Sequence, residues 1–95
     1  MGGQRVRTIH RQGDVTITRD AMYVDKHGSC EHSATYNGGF PNIRAARSAV
    51  AAVEGVSHAY ISSDQGGSIF YGLASDEPDN YLPVAQLVAT AILAI

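Results

Sequence analysis

Apolar and polar positions alternate with a period of two through the first third of the chain. Arg5 to His10 runs Arg-Val-Arg-Thr-Ile-His, and Asp14 to Arg19 carries the β-branched series Val15-Thr16-Ile17-Thr18. Both patterns predict half-buried strands, joined by the turn residues Arg11-Gln12-Gly13-Asp14. Asp20-Ala21 reads as a second tight turn, Met22 to Asp25 as a third strand, and Cys30 to Tyr36 as a fourth beyond Lys26-His27-Gly28-Ser29. Short turns between consecutive strands imply an antiparallel meander of about four strands.

Asn37-Gly38-Gly39 breaks this rhythm, and the spacing changes to helical. Asn42 is the predicted N-cap and Gly55 the stop, with Ile43, Ala46, Val50 and Val53 on the core face. Val56–Ser63 and Ser68–Ala74 form a predicted hairpin across Asp64-Gln65-Gly66-Gly67. A loop of two or four residues places Ala59, Ile61 and Phe70 on one face, and Tyr60, Ile69, Tyr71 and Leu73 on the other. The acidic segment Asp76-Glu77-Pro78-Asp79-Asn80 leads into a last helix, Leu82 to Ile95, opened by Asn80. The elements predict one α+β domain spanning 1–95: an antiparallel β-meander, a helix, a β-hairpin and a C-terminal helix.

Composition adds a constraint on the core. Of the 95 residues 42 are hydrophobic, but 13 of those are alanine. A core built from so many small side chains is thin for a domain of this size. The last helix sharpens the point, because Leu82–Ile95 contains no ionisable side chain. Gln86 and Thr90 share one stripe, and Val84, Leu87, Val88, Ala91, Ile92 and Ile95 cover the opposite side. Fourteen residues cannot cross a bilayer, and a helix apolar nearly all round needs covering on more than one side. The second cover is expected to be another protomer, with Leu82, Leu87, Val88, Ile92, Leu93 and Ile95 at a homodimer interface.

Charge is unevenly spread. All seven cations (Arg5, Arg7, Arg11, Arg19, Lys26, Arg44 and Arg47) precede Ser48, and with four carboxylates in that stretch its net charge is +3. Ser48 onward holds five carboxylates and no cation. Arg5, Arg7, Arg11, Arg19, Arg44 and Arg47 are therefore the expected partner-binding residues, aimed at an acidic protein patch. Nucleic acid is a second candidate partner, with Tyr23 and Tyr36 as stacking faces. The net charge of −2 and the absence of a helix-turn-helix, zinc-finger or ribonucleoprotein motif disfavour it.

The chemistry-bearing residues are sparse. Asp25, His27, Cys30 and His32 form the densest group of metal-ligand types, with His10 or His58 as a further donor. Their spacing matches no common zinc pattern, so no metal or cofactor is expected, and His27, Cys30 and His32 are the candidate ligands that the sequence offers. Cys30 and His32 lie two residues apart on a strand, about 7 Å, too far for direct hydrogen bonding. Ser57, Ser62 or Ser63 with His58 and Asp64 supply serine-hydrolase residue types, but Ser57 and His58 point to opposite faces of a regular strand and no nucleophile elbow surrounds them. Gly38, Gly39 and Asn42, followed by Arg44 and Arg47, make an anion-binding candidate at a helix N-terminus, without a Walker lysine or a dinucleotide fingerprint. Catalysis is not expected. The lone cysteine fits a reducing cytosol, no stretch spans a membrane, and no signal-peptide core is present.

From Val15-Thr16-Ile17-Thr18-Arg19-Asp20 and Val24, through the alanine-rich helix, to the tyrosine-containing hairpin, the chain resembles small phage-encoded anti-defence proteins such as the type I anti-CRISPR proteins. The likeness lies in size and element order over residues 14–74 and carries no motif. It implies a dimer that blocks a host protein by surface contact. The expected function is a non-catalytic, protein-binding homo-oligomer of this inhibitor kind. A nucleic-acid or anionic-ligand binder and a small metal-dependent or hydrolytic enzyme are the alternatives.

Overall fold

The computed structural model describes residues 6–24, 30–62 and 67–95, with the backbone alone for 21–24, 30 and 31. Chain order is β1 (Val6–Gln12), β2 (Val15–Val24), β3 (Cys30–Tyr36), α1 (Ile43–Ala51), β4 (Val56–Ser62), β5 (Ser68–Leu73) and α2 (Pro78–Leu93). The strands form one five-stranded sheet in the order β1-β2-β3-β5-β4, antiparallel throughout. This is the α+β fold that the sequence predicts: meander, helix, hairpin and C-terminal helix.

Both helices pack on one face of the sheet. Val15 and Ile17 of β2, Ala34 of β3, and Ile69, Tyr71 and Leu73 of β5 meet Ala46 and Val50 of α1 and Val84, Ala85, Val88, Ala89 and Ile92 of α2. Small residues set this packing. Ala85 and Ala89 are fully buried, so α2 approaches the strands closely, and apolar contact is gained without large side chains. Partly buried Ile43 extends the α1 face as its spacing predicts, whereas the helix ends at Ala51, short of the expected stop at Gly55, and Val53 packs on the core from the turn beyond it.

Local chemistry explains the ends of the elements. Gly13, at φ +57, enters the two-residue β1–β2 turn in a conformation that side chains with a Cβ resist. The Asn42 side chain accepts a hydrogen bond from the Ala45 N–H at 3.1 Å, as an N-cap should. Helix α2 starts at Pro78 rather than near Leu82, because proline at the first helical position has its φ preset and its missing N–H is needed by no intrahelical bond. Asn80 is consequently inside the first turn, where its amide donates to the Ser75 carbonyl at 3.0 Å. No described helix is long and apolar enough to cross a membrane.

Two expectations need correction. The predicted second and third strands are one, because β2 continues through Asp20-Ala21 and absorbs them as a register shift between Asp20 and Val24. The meander therefore has three strands. The hairpin faces also differ: Ala59 pairs with Tyr71 and Ile61 with Ile69 on the helix-covered side, while Tyr60 pairs with Phe70 on the other. Pairing of Ser62 with Ser68 leaves five residues between the strands. Relative to an even loop, that odd number turns one strand over.

Candidate functional site

Strand register assembles a transverse row of side chains on the helix-covered face. Arg7 lies opposite Arg19, Arg19 opposite His32, His32 opposite Tyr71, and Tyr71 opposite Ala59. One residue from each of the five strands thus contributes to a single line. The first turn of α2 closes over its centre. The Tyr81 ring meets His32 edge-on with centroids 5.1 Å apart, and the Arg19 guanidinium carbon lies 4.6 Å from the Tyr81 centroid. His32 stacks on Tyr71 at 5.4 Å.

The centre of this row, His32 and Tyr71, is polar and buried. His32 and Tyr71 are both 0% exposed, and neither His32 ring nitrogen nor the Tyr71 hydroxyl has a hydrogen-bond partner. The Arg19 Nε is likewise shielded and unpartnered. Asp76 Oδ1 stands 3.9 Å from His32 Nε2, an electrostatic contact too long for a hydrogen bond. Burial, reinforced by the Arg19 charge and opposed by Asp76, lowers the His32 pKa to about 4. Burial also raises the Tyr71 pKa above the usual phenol range. The row therefore presents a neutral imidazole, a protonated phenol and a cation held against an aromatic face.

The second feature is the outer side of α2. Leu82 is 45% exposed and Leu87 50%, and Leu93 and Ile95 are exposed beyond them. Val88 and Ile92, expected at an interface, are instead buried in the chain's own core. Angular position explains it: the face turned to the sheet passes through Val84, Ala85, Val88, Ala89 and Ile92, which leaves Leu87 outside. The C-terminal half of α2 is stitched to the β1–β2 hairpin, where Gln12 Nε2 donates to Thr90 Oγ1 at 3.1 Å. Leu93 and Ile95 line a cleft of about 180 Å³ with Tyr36, Phe40, Ala45 and Ile92.

The arginines of the expected partner surface are divided. Arg5 lies outside the described residues. Arg7 and Arg19 stand side by side, but a register shift between Thr8 and His10 puts Arg11 opposite Thr16, on the other face of the sheet. Arg44 is exposed on α1. Arg47 reaches the Ala59 carbonyl of edge strand β4 at 3.4 Å and the Ser48 hydroxyl at 3.2 Å. The anion-binding candidate is correspondingly altered. Gly38 and Gly39 form an open turn at positive φ, Asn42 already occupies one first-turn amide, and Arg47 is directed to β4 instead of joining Arg44 over the helix end.

Of the metal-ligand types, His27 and the Cys30 side chain lie outside the described residues, and His32 is packed between two tyrosine rings. Among the described residues no group of three or more His, Cys, Asp and Glu side chains is arranged to hold a metal. Ser57 and His58 do interact, contrary to the regular-strand expectation. The shift in register between Val56 and His58 brings Ser57 Oγ within 2.8 Å of His58 Nδ1. A serine–histidine hydrogen bond on an edge strand supplies one of the contacts acyl transfer needs; converging oxyanion donors are another.

Sequence reasoning overlooked the Arg19–His32–Tyr71–Tyr81 convergence. Its available signal was the period-two series His32, Ala34 and Tyr36, which puts His32 on the buried side of β3. Comparison of the chain with protein-family models, with curated proteins and with solved structures finds no match.

Proposed function

We propose that this chain is a non-catalytic binding protein that works as a homodimer joined through the outer side of α2. The observation that carries this reading is the pair Leu82 and Leu87, each about half exposed on a segment with no ionisable side chain from Leu82 to Ile95. Leu82 and Leu87 flank the uncharged Gln86–Thr90 stripe on the exposed side of α2, and two copies related by a two-fold axis bring that side onto itself without opposing like charges. Covering two leucines per protomer also removes apolar surface that a soluble monomer keeps exposed only at a cost.

The dimer then presents its arginines to an acidic protein surface in the cytosol, in the manner of a phage-encoded inhibitor that blocks a bacterial defence complex by contact. Docking of this kind weakens as salt screens the charges. The test is light scattering on the wild type and on a Leu82→Asp, Leu87→Asp double variant. The reading predicts a dimer for the first and a folded monomer, with unchanged circular dichroism, for the second. Equal masses for the two proteins contradict it.

A further inference from the structure

We propose that Arg7 and Arg19 form a two-guanidinium clamp for an oxyanion, a carboxylate or phosphate group, at the β1 end of the transverse row. The proposal deepens the acidic-partner reading and rests on it, but is independent of α2 self-association.

Directly opposed residues on antiparallel strands hold their side chains close together on one face, and like charges there repel. Arg7 and Arg19 are such a pair. Among the described residues neither guanidinium has a carboxylate within ion-pair distance. Asp20, next in sequence to Arg19, alternates to the opposite face, opposite Val6. Asp76 is directed at His32.

Arg19 is the anchored half of the clamp. Its guanidinium lies over the Tyr81 ring, and its Nε, shielded from water, has no acceptor in the protein. Of the Arg19 nitrogens only Nε is shielded, so an incoming oxyanion meets the two terminal ones while Nε stays packed inside. Exposed Arg7 is the accessible half, open to solvent beside it. The same positive potential acts on His32, whose charged form Arg19 disfavours. Preorganisation over Tyr81 reduces the entropy lost when the fork engages two oxygens.

The experiment is an NMR titration of the full-length chain at low salt, once with inorganic phosphate and once with hexaglutamate, reading backbone amides and arginine Nε–H signals. The proposal predicts saturable shifts at Arg7 and Arg19 with at least one probe. Affinity should fall about tenfold or more in Arg7→Gln and in Arg19→Lys, and by clearly less in Arg11→Gln, which removes the same charge from the opposite face of the sheet. Arg19→Lys keeps the charge under Tyr81, so its loss of binding reports the fork and not unfolding. A response to phosphate alone or to hexaglutamate alone identifies the source of the oxyanion, and either supports the clamp. Saturable hexaglutamate binding that Arg7→Gln and Arg19→Lys leave intact overturns the clamp while the acidic-partner reading stands. No saturable response to either probe overturns both.

Discussion

His32 and Tyr71 face each other across β3 and β5 with their rings stacked at 5.4 Å, both fully buried, and no polar atom of either ring system forms a hydrogen bond. Buried polar groups are normally satisfied, so this pair is a point where the fold gives up stability. Each residue yields a different consequence.

The first concerns pH. The folded-state pKa of His32 is about 4, below its ordinary 6.5, so the unfolded chain takes up a proton that the folded one refuses. Its contribution is therefore fully present above pH 6.5 and is lost as the pH falls through that value toward 4. Between pH 7 and pH 5 the loss is about 2 kcal/mol. Urea denaturation at the two values measures it, and His32→Phe should flatten the difference. A wild-type midpoint equally high at pH 5 contradicts the burial of a neutral imidazole.

Removing the Tyr71 hydroxyl should help. Tyr71→Phe keeps the ring stacked on His32 and deletes a hydroxyl without a partner, so stability should hold or rise by about 1 kcal/mol. A loss larger than that, in thermal or chemical denaturation, would mean the hydroxyl is satisfied in solution.

On the other face of the sheet, Gly72 carries the His58 ring. A Cβ built at Gly72 collides with His58 Cε1. His58 also stacks against Tyr60, which meets Phe70 edge-on at 5.7 Å, so the ring has packed neighbours on its own face. Gly72→Ala should therefore cost about 1–3 kcal/mol. In a His58→Ala background the same change should cost much less, and a double-mutant cycle reads that coupling directly. Equal costs in the two backgrounds would show that the ring does not occupy this position.

Much of the architecture was legible because local chemistry and tertiary structure agree. Asn42 caps α1, Gly13 turns the first hairpin, and Ile43, Ala46 and Val50 face the core at helical spacing. Three features depended on what periodicity does not contain. Asp20-Ala21 has turn chemistry, yet β2 takes it in as an irregularity because pairing with β3 resumes at Val24. The β4–β5 faces turned on the parity of one loop. On α2, angular position outweighed hydrophobicity, burying Ala85 and Ala89 and leaving Leu87 outside. The row from Arg7 to Tyr71 needed the registers of three strand pairs, and residues at positions 7, 19, 32 and 71 share no motif.

Self-association through α2 is the central claim, and sedimentation equilibrium on the unaltered chain across the micromolar range tests it most directly. The account predicts a species of twice the 10.1 kDa chain mass that dissociates on dilution, and a Leu82→Asp, Leu87→Asp variant that stays at one chain mass. A wild type that remains at one chain mass at every concentration, folded and soluble, would contradict it.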